Sequence, residues 1–91
     1  MPPTAPSQVS DWTWEPHPGD LLDGLPAEAR QELDQVVREI TVRDSMVYLD
    51  GKNWDGPTPG LRTETPGRLM ITYLTDVRGE RVVILQMTWF S

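Results

Sequence analysis

The clearest periodic pattern of apolar residues lies in the first half of the chain. Apolar side chains recur there at spacings typical of a helix: Ala29, Leu33, Val36, Val37 and Ile40. This spacing places them on one face of an amphipathic α-helix. Pro26 suits the start of the helix, where its missing N–H costs nothing. The pattern predicts a helix over about residues 26–44, which Met46, Val47 and Leu49 would extend along the same face.

The second half of the chain carries the patterns of β-strands. We predict three strands, at residues 61–65, 68–75 and 81–90. The Pro66-Gly67 turn separates the first two, and a charged loop closes a hairpin between the last two. Within that loop, Gly79 is expected to supply the positive φ that a tight turn needs.

The last strand has two faces of different polarity. One face reads as wholly apolar: Val83, Leu85, Met87 and Trp89. The other is mixed: Val82, Ile84, Gln86, Thr88 and Phe90. We therefore expect the apolar face to pack on the helix and the mixed face to be partly exposed. An exposed apolar side around Val82, Ile84 and Phe90 would mark a surface for a partner.

The segment before the helix begins with an aromatic strand. Trp12 and Trp14 lie two residues apart, so a strand directs both to one face, which we interpret as core. Pro16 and Pro18 end this strand or confine it to a sheet edge. A short helical turn is expected over residues 20–25, closed by Gly24.

This order of elements indicates one small α+β domain with two layers. An N-terminal strand and a helical hairpin would pack on a curved antiparallel sheet. The domain would cover residues 11–91, because residues 1–10 are rich in Pro, Ser and Thr and read as a disordered tail.

Composition and charge narrow the classes of function. The chain has no Cys and one His, so we expect no thiolate or multi-histidine metal site and no cofactor. The net charge of -6 lies entirely in residues 1–48, which opposes binding of phosphate backbones there. No apolar run is long enough to cross a bilayer, and the first residues lack the pattern of a signal peptide. We therefore expect a soluble cytoplasmic protein with no membrane partner.

Several short motifs together resemble the RelE/ParE superfamily of small bacterial toxins. They are Trp14-Glu15 on the first strand, the helix junction at residues 24–30, Leu61-Arg62, and the strand at residues 67–73. The last of these is similar to the family's Gly-x-Arg-x-x-Tyr strand. The resemblance spans roughly residues 12–90 and implies the family's fold.

The resemblance also implies a function, that of a type II toxin with a cognate antitoxin. Many members of the family cut mRNA on the ribosome without a metal, whereas others inhibit DNA gyrase. The implied catalytic residues are Arg62, Arg68 and Arg81 as phosphate-stabilising cations, with Tyr73 as proton donor or stacking ring. An ordinary surface role for the arginines and a half-buried strand position for Tyr73 are the alternatives.

The sequence departs from the family pattern at the sites of catalysis. Met70 stands where the family strand carries its arginine, and residues 86–91 contain no basic side chain. Whether the protein is an enzyme is therefore left open. The alternatives are a non-catalytic interaction module that binds an antitoxin, a second copy or gyrase, and an acidic mimic that occupies a nucleic-acid-binding surface.

Overall fold

The computed structural model describes residues 12–90, which form one α-helix and a four-stranded sheet. The elements in chain order are β1 (Thr13–Pro16), α1 (Ala27–Val47), β2 (Arg62–Glu64), β3 (Leu69–Asp76) and β4 (Arg81–Trp89). A single 3-10 turn, Gly51–Asn53, follows α1. The predicted α+β class is confirmed. The predicted tail, residues 1–10, lies outside the described residues.

The sheet is mixed rather than wholly antiparallel. Its strand order is β1-β4-β3-β2, with β1 parallel to β4 and the other two pairings antiparallel. The three C-terminal strands pair antiparallel, as predicted. The expectation that the N-terminal strand packs on this sheet is wrong, because β1 joins the sheet as a parallel neighbour of β4. The predicted position of β1 at a sheet edge, ended by Pro16, is confirmed.

The predicted helical hairpin is also wrong, since α1 is the only α-helix in residues 12–90. Residues 19–24 form successive turns instead. Gly24 has the positive φ of 84° expected of a chain reversal, and Pro26 stands immediately before α1. Leu22 is buried and anchors the turns to the core.

The core lies between α1 and one face of the sheet. Leu33, Val37 and Ile40 from α1 meet Leu69, Ile71 and Tyr73 from β3 and Val82 and Ile84 from β4. Trp12 is buried, and Trp14 packs on this core from β1. The predicted helical stripe is thus confirmed as far as Ile40, and α1 extends to Val47. The expected continuation of the same face through Met46, Val47 and Leu49 is wrong, since these side chains are 66 %, 59 % and 73 % exposed.

A β-bulge changes which residues of β4 face the core. Tyr73 pairs with Ile84 whereas Thr72 pairs with Gln86, so Leu85 is an extra residue. Val82 and Ile84 are therefore on the core face before the bulge, and Met87 and Trp89 are on it afterwards. The predicted grouping of residues 83, 85, 87 and 89 on the core face is wrong for its first half, because a one-residue insertion reverses the alternation.

The bulge also corrects the expected exposed apolar side of β4. Val82 and Ile84 are 0 % exposed, so they are core residues and offer no surface to a partner. Phe90 alone of the three predicted residues is exposed, at 51 %.

The loop between β3 and β4 reverses at Glu80 rather than at Gly79. Glu80 has a φ of 53°, and Gly79 does not take a positive φ. Asp76 accepts a hydrogen bond from the backbone N–H of Gly79 at 3.1 Å and so closes the turn.

Among residues 12–90, no helix combines the length and the apolarity that crossing a membrane requires.

Candidate functional site

A cluster of polar and charged side chains lies where α1, β2 and β3 meet. We call it the margin cluster; its members are Arg43, Asp44, Arg62, Glu64, Tyr73 and Thr75. Strand pairing brings two of its members together, because Arg62 of β2 pairs in register with Tyr73 of β3. Its guanidinium lies 4.9 Å from the centre of the Tyr73 ring. Two of the four predicted catalytic residues, Arg62 and Tyr73, are thus in contact.

The inner half of the margin cluster is built around Asp44, whose side chain is only 2 % exposed. Its Oδ2 accepts hydrogen bonds from Arg62 Nη2 at 2.8 Å and from Thr75 Oγ1 at 2.6 Å. A buried carboxylate is tolerated only when a cation and hydrogen bonds compensate it, and both are present. Arg62 Nε is buried with no hydrogen-bond partner in the described residues. This half therefore attaches β2 to α1 through one ion pair.

The outer half of the margin cluster joins Arg43, Glu64 and Tyr73. Arg43 Nη2 donates to Glu64 Oε2 at 2.8 Å and to the Tyr73 hydroxyl at 2.9 Å. The Tyr73 hydroxyl donates to the same Glu64 oxygen at 2.5 Å. Each side chain thus contacts the other two, and the carboxylate is shared by a cation and a phenol.

These contacts set the protonation of the cluster. Burial and the hydrogen bond to Glu64 raise the pKa of Tyr73 to about 12. Burial alone would raise the pKa of Glu64, but the hydrogen bonds from Tyr73 and Arg43 outweigh it and lower that pKa. The hydrogen bond to Glu64 raises the pKa of Arg43. At neutral pH Arg43 is therefore a cation, Glu64 a carboxylate and Tyr73 a neutral phenol, so these three side chains together carry no net charge.

The third predicted catalytic residue, Arg68, lies away from the margin cluster. Its Nη2 contacts Glu28 Oε2 at 2.6 Å and Glu32 Oε2 at 3.5 Å, both on the first half of α1. The guanidinium also stacks 4.6 Å from the centre of the Trp89 ring. The hydrogen bond to Glu28 raises the pKa of Arg68. These contacts join the start of β3 to α1.

The fourth predicted residue, Arg81, belongs to a different cluster again. Its Nε donates to Asp76 Oδ2 at 2.9 Å and its Nη1 to Glu15 Oε2 at 3.1 Å. We call these three side chains the open-face cluster, because they lie on the sheet face turned away from α1. The hydrogen bond to Asp76 raises the pKa of Arg81.

The four predicted residues do not converge on one site. Arg68 precedes the first residue of β3, and Arg81 is paired with its last residue, Asp76. Seven residue steps along β3 span roughly 23 Å. Only Arg62 and Tyr73 share a location. In residues 12–90 no group of three or more His, Asp or Glu side chains has the arrangement of a metal site.

Sequence reasoning missed the carboxylates that complete the margin cluster. One signal for Asp44 was present, because it continues the apolar stripe of α1 at the spacing set by Leu33, Val37 and Ile40. A charged residue on the buried face of a helix needs a partner from another element. Nothing in the pattern of β2 identified that partner as Arg62.

A second surface feature lies on the outer side of α1. Val42 and Met46 are 44 % and 66 % exposed, and they line a shallow depression together with Arg38, Glu39 and Arg43. We call these five residues the α1 patch. Val47 and Leu49, which follow Met46 closely, are exposed as well. The C-terminal half of α1 therefore presents apolar side chains to solvent on the side opposite the core.

Comparison of the chain with models of protein families, with curated proteins and with solved structures found no match. The resemblance to RelE/ParE toxins therefore stays a prediction from sequence.

Proposed function

We propose that the protein is a non-catalytic protein-interaction module and that the α1 patch is its binding surface. One observation carries the proposal. Among the large apolar side chains exposed in residues 12–90, Val42 and Met46 line one depression on α1, and Val47 and Leu49 follow them directly in the chain. Exposed apolar residues scattered singly need no explanation, whereas their concentration in one region is typical of an interaction surface.

The location of these residues on a rigid element adds to the argument. Val42 and Met46 are one helical turn apart, so they project side by side. The same helix is held to the sheet by its inner stripe and by the ion pair between Asp44 and Arg62 at 2.8 Å. A partner would therefore meet a surface that is already ordered, which lowers the entropy cost of binding.

The pairing of the arginines favours binding over catalysis. A cation that stabilises a phosphate transition state must have donors available for the phosphate oxygens. Arg62, Arg68 and Arg81 each contact at least one carboxylate at 3.1 Å or less. Substrate phosphate would have to displace those carboxylates, and the acidic side chains beside it would oppose its approach.

Site-specific photo-crosslinking in the expressing cell tests the proposal. A photoreactive residue at position 46 should give a covalent adduct with another polypeptide, whereas the same residue at position 90 should not. Phe90 is the matched control, because it is a large exposed apolar side chain far from α1 in sequence. Absence of any adduct at position 46, or equal adducts at both positions, would contradict the proposal.

The second candidate function is the metal-independent ribonuclease of a RelE-like toxin. The observation that favours it is the contact between Arg62 and Tyr73, beside Arg43 and Glu64. Two cations, a phenol and a carboxylate are the groups that such cleavage uses. The ribose 2′-hydroxyl would lose its proton to Glu64 and attack the adjacent phosphate. The bond from phosphorus to the 5′ oxygen would break as Tyr73 protonates that oxygen, which leaves a 2′,3′-cyclic phosphate. A cognate antitoxin and ribosome-bound mRNA would be the partners, with gyrase as the alternative target.

Induced expression in a bacterial host without an antitoxin tests this second candidate. Growth should stop with the wild-type chain and with Tyr48→Phe, the matched control, and should continue with Tyr73→Phe. Normal growth on expression of the wild-type chain would exclude the toxin in that host. Arrest by Tyr73→Phe as strong as that by wild type would exclude a catalytic role for the phenol.

A further inference from the structure

We infer that the occupant of the α1 patch is a second copy of the same chain, bound through an antiparallel pairing of the two α1 helices. The inference rests on the proposed function, since it names the partner of that surface. The charges around the patch, their symmetry along the helix and the position of the apolar side chains all suit such a pairing.

The charges of the α1 patch suit a copy of itself. The chain carries a net charge of -6, so two copies repel one another unless their contact brings opposite charges together. The α1 patch instead contains both signs, Arg38 and Arg43 beside Glu39. In residues 12–90, Glu39 takes part in none of the ion pairs, although acidic neighbours on α1 do so. Glu39 is thus an exposed carboxylate beside an apolar surface, where a cation from a second molecule can reach it.

Arg43 can supply that partner from the second copy. Both of its hydrogen bonds within the chain, to Glu64 and to Tyr73, use Nη2. The Nη1 atom keeps its two N–H donors for another acceptor. Half of the Arg43 side chain, 49 %, is exposed. A carboxylate from outside can therefore bind Arg43 without breaking the margin cluster.

The positions of these residues fit a two-fold axis. In an antiparallel pair with the axis at the level of residue 41, residues equally far on either side face each other. Glu39 of one helix then lies opposite Arg43 of the other, and the same pair forms twice. Val42 is one residue from the axis, which is about 1.5 Å along the helix. The two Val42 side chains therefore meet near the centre of the contact.

The apolar side chains complete the arrangement. Val42 projects away from the core, because it is two residues from each of the buried positions 40 and 44. Two residues correspond to just over half a turn of the helix. Met46 lies one turn further along, and its flexible side chain can fill the space beside the facing helix. The ends of the pair would add contacts from Val47 and Leu49, which are exposed in the single chain. The result is an apolar centre with an ion pair on each side.

Sedimentation velocity and light scattering of the full chain test the inference directly. The wild-type chain should sediment as a dimer at micromolar concentration. Met46→Glu and Glu39→Arg should both give monomers, the first by placing charge in the apolar centre and the second by facing Arg43 with a like charge. Leu74→Glu, an exposed apolar position on the sheet face turned away from α1, should leave the dimer intact.

Because the chain has no cysteine, a single introduced cysteine can report on the pairing of the two helices through disulfide formation. Val42→Cys should form an intermolecular disulfide under mild oxidation, because the two positions adjoin the axis, whereas Leu74→Cys should not. A wild-type chain that is monomeric at micromolar concentration, or equal crosslinking at both positions, would overturn the inference.

The failure of this inference is distinguishable from failure of the proposed function. In the photo-crosslinking experiment, an adduct of twice the chain mass at position 46 supports the second copy as occupant. An adduct of a different mass supports the interaction module but overturns the self-pairing. Absence of any adduct overturns both.

Discussion

The margin cluster and the open-face cluster use the same chemistry in different surroundings. Each pairs arginine with two carboxylates at hydrogen-bonding distance. In the margin cluster Asp44 is almost fully buried, whereas in the open-face cluster Arg81 and Glu15 are 43 % and 48 % exposed. Ion pairs near water contribute little to stability, but a buried charge that loses its partner is costly. The comparison indicates that burial, more than the geometry of the ion pair, sets how much each arginine contributes to stability.

Replacement of Asp44 should show the largest effect. Asp44→Ala leaves Arg62 without its carboxylate and Thr75 without its acceptor, and should lower the free energy of unfolding by about 3 kcal/mol. Urea unfolding followed by tryptophan fluorescence gives the value. Asp34→Ala is the matched control, because Asp34 pairs with Arg38 on the same helix and its side chain is 44 % exposed. Equal losses for the two variants would show that burial does not separate them.

Removal of the Tyr73 hydroxyl should have the next largest effect. Tyr73→Phe keeps the ring in the core but removes a donor to Glu64 and an acceptor for Arg43, which should cost about 1 to 2 kcal/mol. The same unfolding experiment on Tyr48→Phe controls for loss of an unrelated phenol. A Tyr73→Phe variant as stable as wild type would mean that Arg43 and Glu64 satisfy each other without the hydroxyl.

Alkaline pH should weaken the margin cluster through the same group. The folded chain holds the Tyr73 proton up to about pH 12, compared with an ordinary tyrosine value of 10.0. Between these values the folded state binds more protons than the unfolded state, so stability falls as pH rises. The stabilising contribution of the protonated Tyr73 hydroxyl is complete below the ordinary tyrosine pKa of 10.0 and is lost as pH rises to about 12. The difference in absorbance at 295 nm between wild type and Tyr73→Phe during titration gives the midpoint, and a midpoint near the ordinary value would contradict the prediction.

Disruption of the open-face cluster should have the smallest effect. Arg81→Ala removes contacts with Asp76 and Glu15 that are largely exposed, and should change stability by at most about 1 kcal/mol. High salt should reduce the difference further, since it screens exposed charges. A loss as large as that of Asp44→Ala would show that the open-face cluster is protected from solvent in the native protein.

The parts of the fold that the sequence predicts are those set by local periodicity. The stripe of Leu33, Val37 and Ile40 repeats with the helical period, so α1 could be placed within a few residues. The strands β3 and β4 were found for the same reason. The bulge at Leu85 is not visible in the alternation, because both faces of β4 carry apolar residues before it.

The parts that the sequence does not predict depend on partners distant along the chain. Arg68 binds Glu28 across 40 residues, and Arg62 binds Asp44 across 18. Charged residues are numerous, so the composition offers many pairings of equal merit and only the packed fold selects among them. The parallel pairing of β1 with β4 is of the same kind, since no local pattern identifies a strand's neighbour.

The order of the strands has a consequence for how the domain can be completed during synthesis. The strand that lies between β1 and β3 is β4, the last of the four to be made. A nascent chain that stops before Arg81 has no neighbour for β1 and lacks Val82 and Ile84 beneath α1. The amphipathic helix would then expose its inner stripe, so truncated products should be prone to aggregation and degradation rather than partly folded.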